Sequence, residues 1–351
     1  MRVDEVMTAA VLVGHGELDA LRIRHDVPVP RPGSGELLVR VRAAAVNNTD
    51  IWTRHGAYGL PGQPDALAGW RGAVSFPRIQ GGDIVGTIAA VGSEVTGDRM
   101  GRRVLVDPAL YRDESPQAPP VGLLGSEADG GFAQYVVVQA AQAHDMTDSP
   151  LSDEELACLP VAYGTAMGML ERVGLRDRET VLVTGASGGV GLALVQLAAA
   201  RGATVLALTS RAKADQVSAA GAAHVLARDD NDLAARVRSL SPAGLAVVAD
   251  VAGGPVLEQL LPLLADDGRW VIAGAVAGPV VSFDLRRLYS HNRRLIGSSM
   301  HTREHFAELV EIARTGLIRP RIAGRHPLTE MHQAQRQFLE GQHVGKILVR
   351  C

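Results

Sequence analysis

The sequence predicts an α/β protein in two parts, a β-rich N-terminal segment followed by a doubly wound parallel sheet. Three observations predict it. Short β-branched or alternating runs, punctuated by Gly and Pro, fill residues 7 to about 150. Strands alternate with helices from about 155 to 299. A glycine-rich stretch, "VTGASGGVG" at 183–191, falls between a strand and a helix of the second part. At 351 residues the chain exceeds what one hydrophobic core organises, so two domains are expected.

In the first part, "TAAVLV", "LRIRHDVPVP", "GELLVRVRAAAV", "DIVGTIAAVG", "RRVLV" and "GFAQYVVV" read as strands separated by turn residues, which predicts a small barrel or sandwich. Residues 107–128 are Pro-rich and unpatterned, and are expected to form an excursion loop. In the second part "TVLVTG" leads into "GGVGLALVQLAAARG" and then "TVLALTS". A helix through "KADQVSAAG", the strand "HVLA", a helix in "NDLAARVRSLS" and the strand "LAVVADV" follow. A helix over "PVLEQLLPLLADDG" and the strands "RWVIAGAV" and "RRLIGSS" complete it. Such βαβ alternation predicts a parallel sheet covered on both faces. The tail carries two amphipathic helices, "REHFAELVEIARTG" and "EMHQAQRQFLEGQ", and a last strand, "GKILVR".

The bulk composition excludes several classes. Hydrophobic residues at 46% with 21% charged describe a globular protein, and a net charge of −3 gives no footprint for nucleic acid. No segment approaches the roughly 20 apolar residues that cross a bilayer. The apolar run Thr8 to Val13 is too short for a signal peptide, and Met7, where the first strand pattern begins, is a second candidate start. Cys158 and Cys351 are the only cysteines. They make no disulfide framework and suit a reducing cytoplasm.

The glycine-rich stretch has the strand–loop–helix context of a phosphate site. Gly185, Gly188 and Gly191 would serve a tight turn, close approach of a pyrophosphate, and close helix packing. Ala186, Ser187, Gly189 and Val190 complete the loop, and N–H groups at the helix start favour an anion. An NAD site places an acid about 20 residues on, for the ribose 2′-hydroxyl. Here the next strand ends in Ser210, Arg211 and Lys213, a hydroxyl and two cations that suit a 2′-phosphate, so NADPH is expected. The loop also matches the T-G-x-x-x-G-x-G pattern of short-chain dehydrogenases. Their Tyr-x-x-x-Lys pair is missing, because Tyr289 is followed by Arg293 and no other tyrosine has a lysine four residues on.

Over essentially its whole length the chain resembles the medium-chain dehydrogenase/reductase superfamily. The motifs are "NNTDIWTRHGAYG", "GGDIVGTIAAVG", "GGFAQYVVV", "AYGTA", the phosphate loop and "GKILV". The resemblance implies a GroES-like catalytic domain (1–155 and 300–351) interrupted by a Rossmann NADP-binding domain (156–299). Zinc-dependent members carry Cys, His and Cys or Asp where this sequence has Asn47, Gly82 and Val161, and none of these replaces a zinc ligand. Asp83 stands beside the lost histidine. The four cysteines of the family's structural zinc exceed the two present. The zinc-independent quinone oxidoreductase-like branch has the pattern V-N-P-x-D-x-x-x-R-x-G-x-Y. "VNNTDIWTRHGAY" matches it except at Asn48.

Without a metal to carry an alkoxide, hydride delivery favours an alkene conjugated with a carbonyl, whose developing enolate needs only hydrogen-bond donors. Quinones, enones and enoyl thioesters fit. The candidate catalytic residues are Asn47, Thr49 and Tyr58, with Tyr163 as a further donor. Tyr58 either orients substrate or delivers a proton. Asp50 and Arg54 are expected to form a structural ion pair. By resemblance Thr165 lies near the nicotinamide, Lys346 near the cofactor, and Ala273 and Gly274 under the nicotinamide ribose. A homodimer through the edge strand "RRLIGSS" is expected. Two other readings stay open: a zinc-independent alcohol or carbonyl dehydrogenase, and a non-catalytic NADP-binding structural or sensor protein.

Overall fold

The structure is a computed structural model that describes residues 3–59 and 69–351. The chain forms two compact units, Met1–Val161 with Thr302–Cys351, and Ala162–His301. Their limits fall a few residues beyond those expected at 155/156 and 299/300. The short helix Asp153–Leu156 packs on the strands Glu36–Ala45 and Asp83–Val91, which keeps it in the first unit.

The first unit is built on Glu36–Ala45, a ten-residue strand long enough to pair with three partners, Asp83–Val91, Tyr135–Gln139 and Lys346–Arg350. Arg103–Val106, Ala143–Asp145 and Ile322–Pro327 extend this sheet to seven strands. Leu21–Pro28, Val6–Leu12 and Arg78–Ile79 form a second sheet of three. One core gathers Leu12, Leu21, Phe132, Met331 and Ile347; another gathers Leu37, Val39, Ile84, Val106 and Val136. At Gly86 an added Cβ would stand 2.1 Å from the Arg40 carbonyl, so the strands approach too closely there for any side chain.

Two expectations fail in this unit. The 107–128 segment is not without structure, because Ala109–Tyr111 pairs with Pro120–Leu123. Strands of three and four residues, one opening with proline, are too short to show a period of two. Ile322–Pro327 was not expected as a strand at all. It carries Gly324 and Pro327, and pairs in parallel with Lys346–Arg350 through the crossover helix Met331–Glu340.

The second unit is a six-stranded parallel sheet in the order His224–Ala227, Thr204–Thr209, Thr180–Val183, Leu245–Asp250, Leu264–Ile272, Arg294–Gly297. Strand order reverses between Thr180–Val183 and Leu245–Asp250, where open α/β sheets bind their ligands. Leu182, Leu206, Val248, Leu260 and Trp270 fill the core. The helix expected over 255–268 covers only Val256–Leu260. Pro262 offers no N–H to continue it, a 3-10 turn follows, and the next strand begins at Leu264.

Candidate functional site

In the first unit, "NTDIWTRH" folds as the helix Asn48–His55, and Gly56 in the left-handed region (φ 65°) turns the chain towards Tyr58. Asp50, in the first turn, accepts the Asn47 N–H at 2.8 Å, half of a capping box. Its other oxygen accepts Gly81 N–H at 3.2 Å, and Gln80 Nε2 donates to its carbonyl at 2.8 Å. Burial pushes the Asp50 carboxyl up to about 7, against the pull of these N–H groups and of Lys346.

Asp50 and Arg54 do not form the expected ion pair. Arg54 is wholly buried and donates to Gln335 Oε1 (3.1 Å) and the Gly16 carbonyl (2.8 Å), with Glu17 at 3.7 Å. The two side chains of one short helix serve different walls of the core.

Asn47 is also committed. Its amide nitrogen donates to Asp83 Oδ2 at 2.8 Å and to the Ala45 carbonyl at 3.2 Å, and its oxygen accepts from Lys346. With both hydrogens taken, it is a structural residue rather than the free donor expected. The Lys346 ammonium lies 2.9 Å from Asp83 Oδ2 and also donates to the Val46 carbonyl at 3.0 Å. Neither charged side chain is more than 4% exposed. Asp83 Oδ1 accepts the Val161 N–H at 2.7 Å. Thus the three positions where zinc-dependent proteins of this pattern hold metal converge on one ion pair: Asn47 by its amide, Val161 by its N–H, and Gly82 as neighbour of Asp83. A Cβ at Gly82 would meet Val161 Cγ2 at 3.1 Å and the Leu124 carbonyl at 3.2 Å, so this packing has no room for an imidazole there. Sequence reasoning placed Lys346 at the cofactor; the structure directs its ammonium to Val46, Asn47 and Asp83.

Thr49 and Tyr58 remain as donors. Both are half-buried and share a hydrogen bond, and the Tyr58 ring leans on Trp52 at 5.4 Å. Burial pushes the Tyr58 phenol up to about 12, so it is protonated at neutral pH. Tyr163, the other candidate, is buried and donates to Gln196 Oε1 at 2.9 Å.

In the second unit the glycine loop follows Thr180–Val183 and opens the helix Gly189–Ala200. Gly185 takes φ 57°, and a Cβ on Gly191 would stand 2.1 Å from the Gly185 carbonyl, so the helix seats directly on the turn. At Gly188, the N-cap, a Cβ would meet only the Gly185 carbonyl, at 3.5 Å, which leaves its other side open. Ala186, Ser187 and Val190 lie between these fixed points. Thr184 and Asp250, which sequence reasoning missed, lock the loop from below. Thr184 Oγ1 donates to Asp250 Oδ1 at 2.5 Å, and that oxygen also accepts Ala252 and Gly253 N–H at 2.9 Å. Ala273 N–H donates to the Asp250 carbonyl, and a Cβ on Gly274 would stand 2.4 Å from the Val251 carbonyl. Thr165 is buried and donates to the Met300 sulfur at 3.6 Å.

Ser210 follows Thr204–Thr209 and stands at the N-cap position of a 3-10 turn, Arg211–Lys213. Burial, and then the Arg228 charge, lower the Lys213 ammonium. Arg228 follows the adjoining parallel strand, and its N–H donates to the Thr209 carbonyl at 2.9 Å. It too was missed, because only strand pairing brings residues 209 and 228 together. Arg211 lies 3.6 Å from Asp229.

Comparison with known proteins bears on both sites. Residues 33–148 match the model of the alcohol dehydrogenase GroES-like domain, and 189–315 that of the zinc-binding dehydrogenases. The acryloyl-coenzyme A reductase of Metallosphaera sedula is 30% identical over 353 residues, covering 98% of this chain and 99% of that one. This chain belongs to the medium-chain dehydrogenase/reductase superfamily. It is an oxidoreductase of that family, with a GroES-like domain and a Rossmann sheet. The quinone oxidoreductase of Mus musculus is 26% identical, with 98% of each chain covered. A crystal structure of a "putative alcohol dehydrogenase" from Sinorhizobium meliloti superposes with a TM-score of 0.95 at 44% identity, covering 99% of this chain and 97% of that one. Among the described residues, no helix is long and apolar enough to cross a membrane.

Proposed function

We propose that this member of the superfamily is a zinc-independent, NADPH-dependent reductase of activated double bonds, with quinones, enones or enoyl thioesters as substrates. The observation that carries the reading is the buried Lys346–Asp83 pair among the three positions where zinc-dependent relatives hold their ion. The Asp83 carboxylate there is already committed to an ammonium, and among the described residues no group of three His, Cys, Asp or Glu is placed to hold a metal. The names of the acryloyl-coenzyme A reductase and the quinone oxidoreductase support the same substrate class.

The loop at 185–191 fits a dinucleotide. Its N-cap glycine is open on one side, and the N-terminus of a twelve-residue helix lies behind it. Ser210, Arg211, Lys213 and Arg228 would hold the 2′-phosphate, and Thr165, Ala273 and Gly274 would line the nicotinamide end. NADPH, when bound, supplies the hydride. The chain's own part is electrostatic. A protonated Tyr58, steadied by Thr49, donates to the substrate oxygen on which negative charge develops. The enolate or quinol oxygen is less basic than the alkoxide of a simple ketone, so a hydrogen-bond donor suffices where the alkoxide calls for a metal, which is why activated alkenes lead.

NADPH consumption against quinones, enones, enoyl thioesters and simple ketones tests the reading, with zinc measured in the same preparation. The expected result is turnover of the conjugated substrates, unchanged by chelators. Reduction of simple ketones alone, or about one tightly held zinc per chain, overturns it. Cofactor binding with no turnover of any substrate would favour the structural or sensor role. We also propose a homodimer through the edge strand Arg294–Gly297, beside which Val276, Val280, Leu285 and Tyr289 lie exposed in sequence. A monomer mass in light scattering at micromolar concentration would exclude it.

A further inference from the structure

The reaction as proposed uses Thr49 and Tyr58 and leaves the buried cation idle. An ammonium has three hydrogens, and those of Lys346 meet three acceptors of its own unit: the Val46 carbonyl, Asn47 Oδ1 and Asp83 Oδ2. Val46 and Asn47 are the two residues that lead into the helix Asn48–His55, which bears Thr49 and, beyond Gly56, leads to Tyr58. The grip is doubled, because Asp83 also takes the Asn47 amide (2.8 Å) and the Val161 N–H (2.7 Å).

From this geometry we infer that Lys346 is a positioning residue: its buried ammonium, balanced by Asp83, holds the entry of the Asn48–His55 helix and so sets the Thr49–Tyr58 pair. This rests on the reading that Thr49 and Tyr58 serve the substrate. The ion pair stands where zinc-dependent members of the family carry their metal ligands. Buried charges are expensive and are weak evidence for stability, whereas fixing one arrangement of a loop is a use that repays them. A contact with the cofactor would need the ammonium to give up one of its three partners.

The experiment uses full-length protein labelled with ¹³C at tyrosine Cζ, with Tyr58→Phe assigning the Tyr58 signal. Two variants are compared with the wild type. Lys346→Ala is measured with and without propylammonium, which replaces the missing atoms and charge. Lys346→Met with Asp83→Asn removes both charges and keeps the bulk, so a folded protein is available even where the single variant is not. The Tyr58 signal should move in both variants and return when propylammonium saturates Lys346→Ala. Hydride transfer should fall on the order of 10²-fold while the Kd for NADPH stays within about twofold, as expected for misplacement without lost binding. A double variant with an unmoved Tyr58 signal and wild-type hydride transfer overturns the inference. So does weakened NADPH binding by Lys346→Ala with Tyr58 unmoved, which would put the lysine on the cofactor. Should no activated alkene be reduced by any form, a Tyr58 signal that moves and is restored sustains the positioning role while the proposed reaction fails.

Discussion

The glycine loop of the Rossmann unit and the Asn47 pocket of the GroES-like unit are built on opposite principles. The loop is one run of nine residues, 183–191, and its geometry comes from backbone: a left-handed Gly185, a Gly191 pressed on a carbonyl, and an open N-cap at Gly188. The pocket is assembled from residues 46–50, 83, 161 and 346, so that a lysine meets an amide 299 positions away. Its geometry comes from paired charge. A site made of backbone tolerates little change in shape, whereas a site made of charge tolerates little change in balance. The comparison therefore predicts different failures for the two.

The largest effect belongs to the pocket. Asp83→Ala leaves the Lys346 ammonium buried and unpaired, and should cost about 3–5 kcal/mol in denaturant unfolding. Adding Lys346→Met should recover much of that. An equal cost for the double variant would mean that packing, not charge, holds the pocket.

Next is a pH effect at Asp50. Its folded pKa of about 7 stands above the ordinary 3.8, so between those values the folded state binds more protons than the unfolded one. Its contribution is fully present below pH 3.8 and is lost as pH rises through about 7. Stability should fall with a slope of up to about 1.4 kcal/mol per pH unit from this group. The difference between wild type and Asp50→Asn should therefore shrink from pH 5 to pH 8. Parallel curves for the two proteins would rule this out.

For the loop, shape is decisive. Gly191→Ala sets a Cβ 2.1 Å from the Gly185 carbonyl, a backbone atom that cannot rotate away. The expected cost is about 1–3 kcal/mol of stability, with loss of binding to both NADPH and NADH. A variant that binds either cofactor normally would show that the helix can shift on its strand without harm.

The smallest effect is at the charged rim of the same unit, where Arg211 is 68% exposed and close to Asp229. Arg211→Ala should weaken NADPH about tenfold, the low end for a charge-assisted contact, and barely change NADH. Equal weakening of both would remove these residues from phosphate recognition.

Legibility in the sequence followed the same division. The glycine loop, the parallel sheet and the Ser210–Lys213 turn were readable because each lies within one strand–turn–helix unit. Pro262 was also in plain view, yet the apolar residues around it kept helical spacing and masked the early strand at Leu264. The hairpin inside 107–128 was too short to leave a pattern. Arg228 was unreadable because nothing local distinguishes a surface arginine from one whose strand lies beside another. Taken one at a time in the sequence, Asn47 is a donor, Asp83 the neighbour of a lost histidine and Lys346 a cofactor contact. Asp50 and Arg54 are expected as an ion pair, but burial sends them to different partners.

By itself the sequence determined the two textures of the chain, the glycine loop with the cationic turn after the next strand, and the residue types at the three positions where relatives bind zinc. These depend on neighbours in the chain: periodicity, glycine's freedom at φ above zero, and the chemistry a side chain either has or lacks. Only the tertiary structure decided what those three positions do instead. A lysine near the end of the chain reaches a strand laid down some 260 residues earlier, and the pairing of Lys346–Arg350 with Glu36–Ala45 is what brings it there. Burial then makes the partnership obligatory, since neither charge has water to turn to.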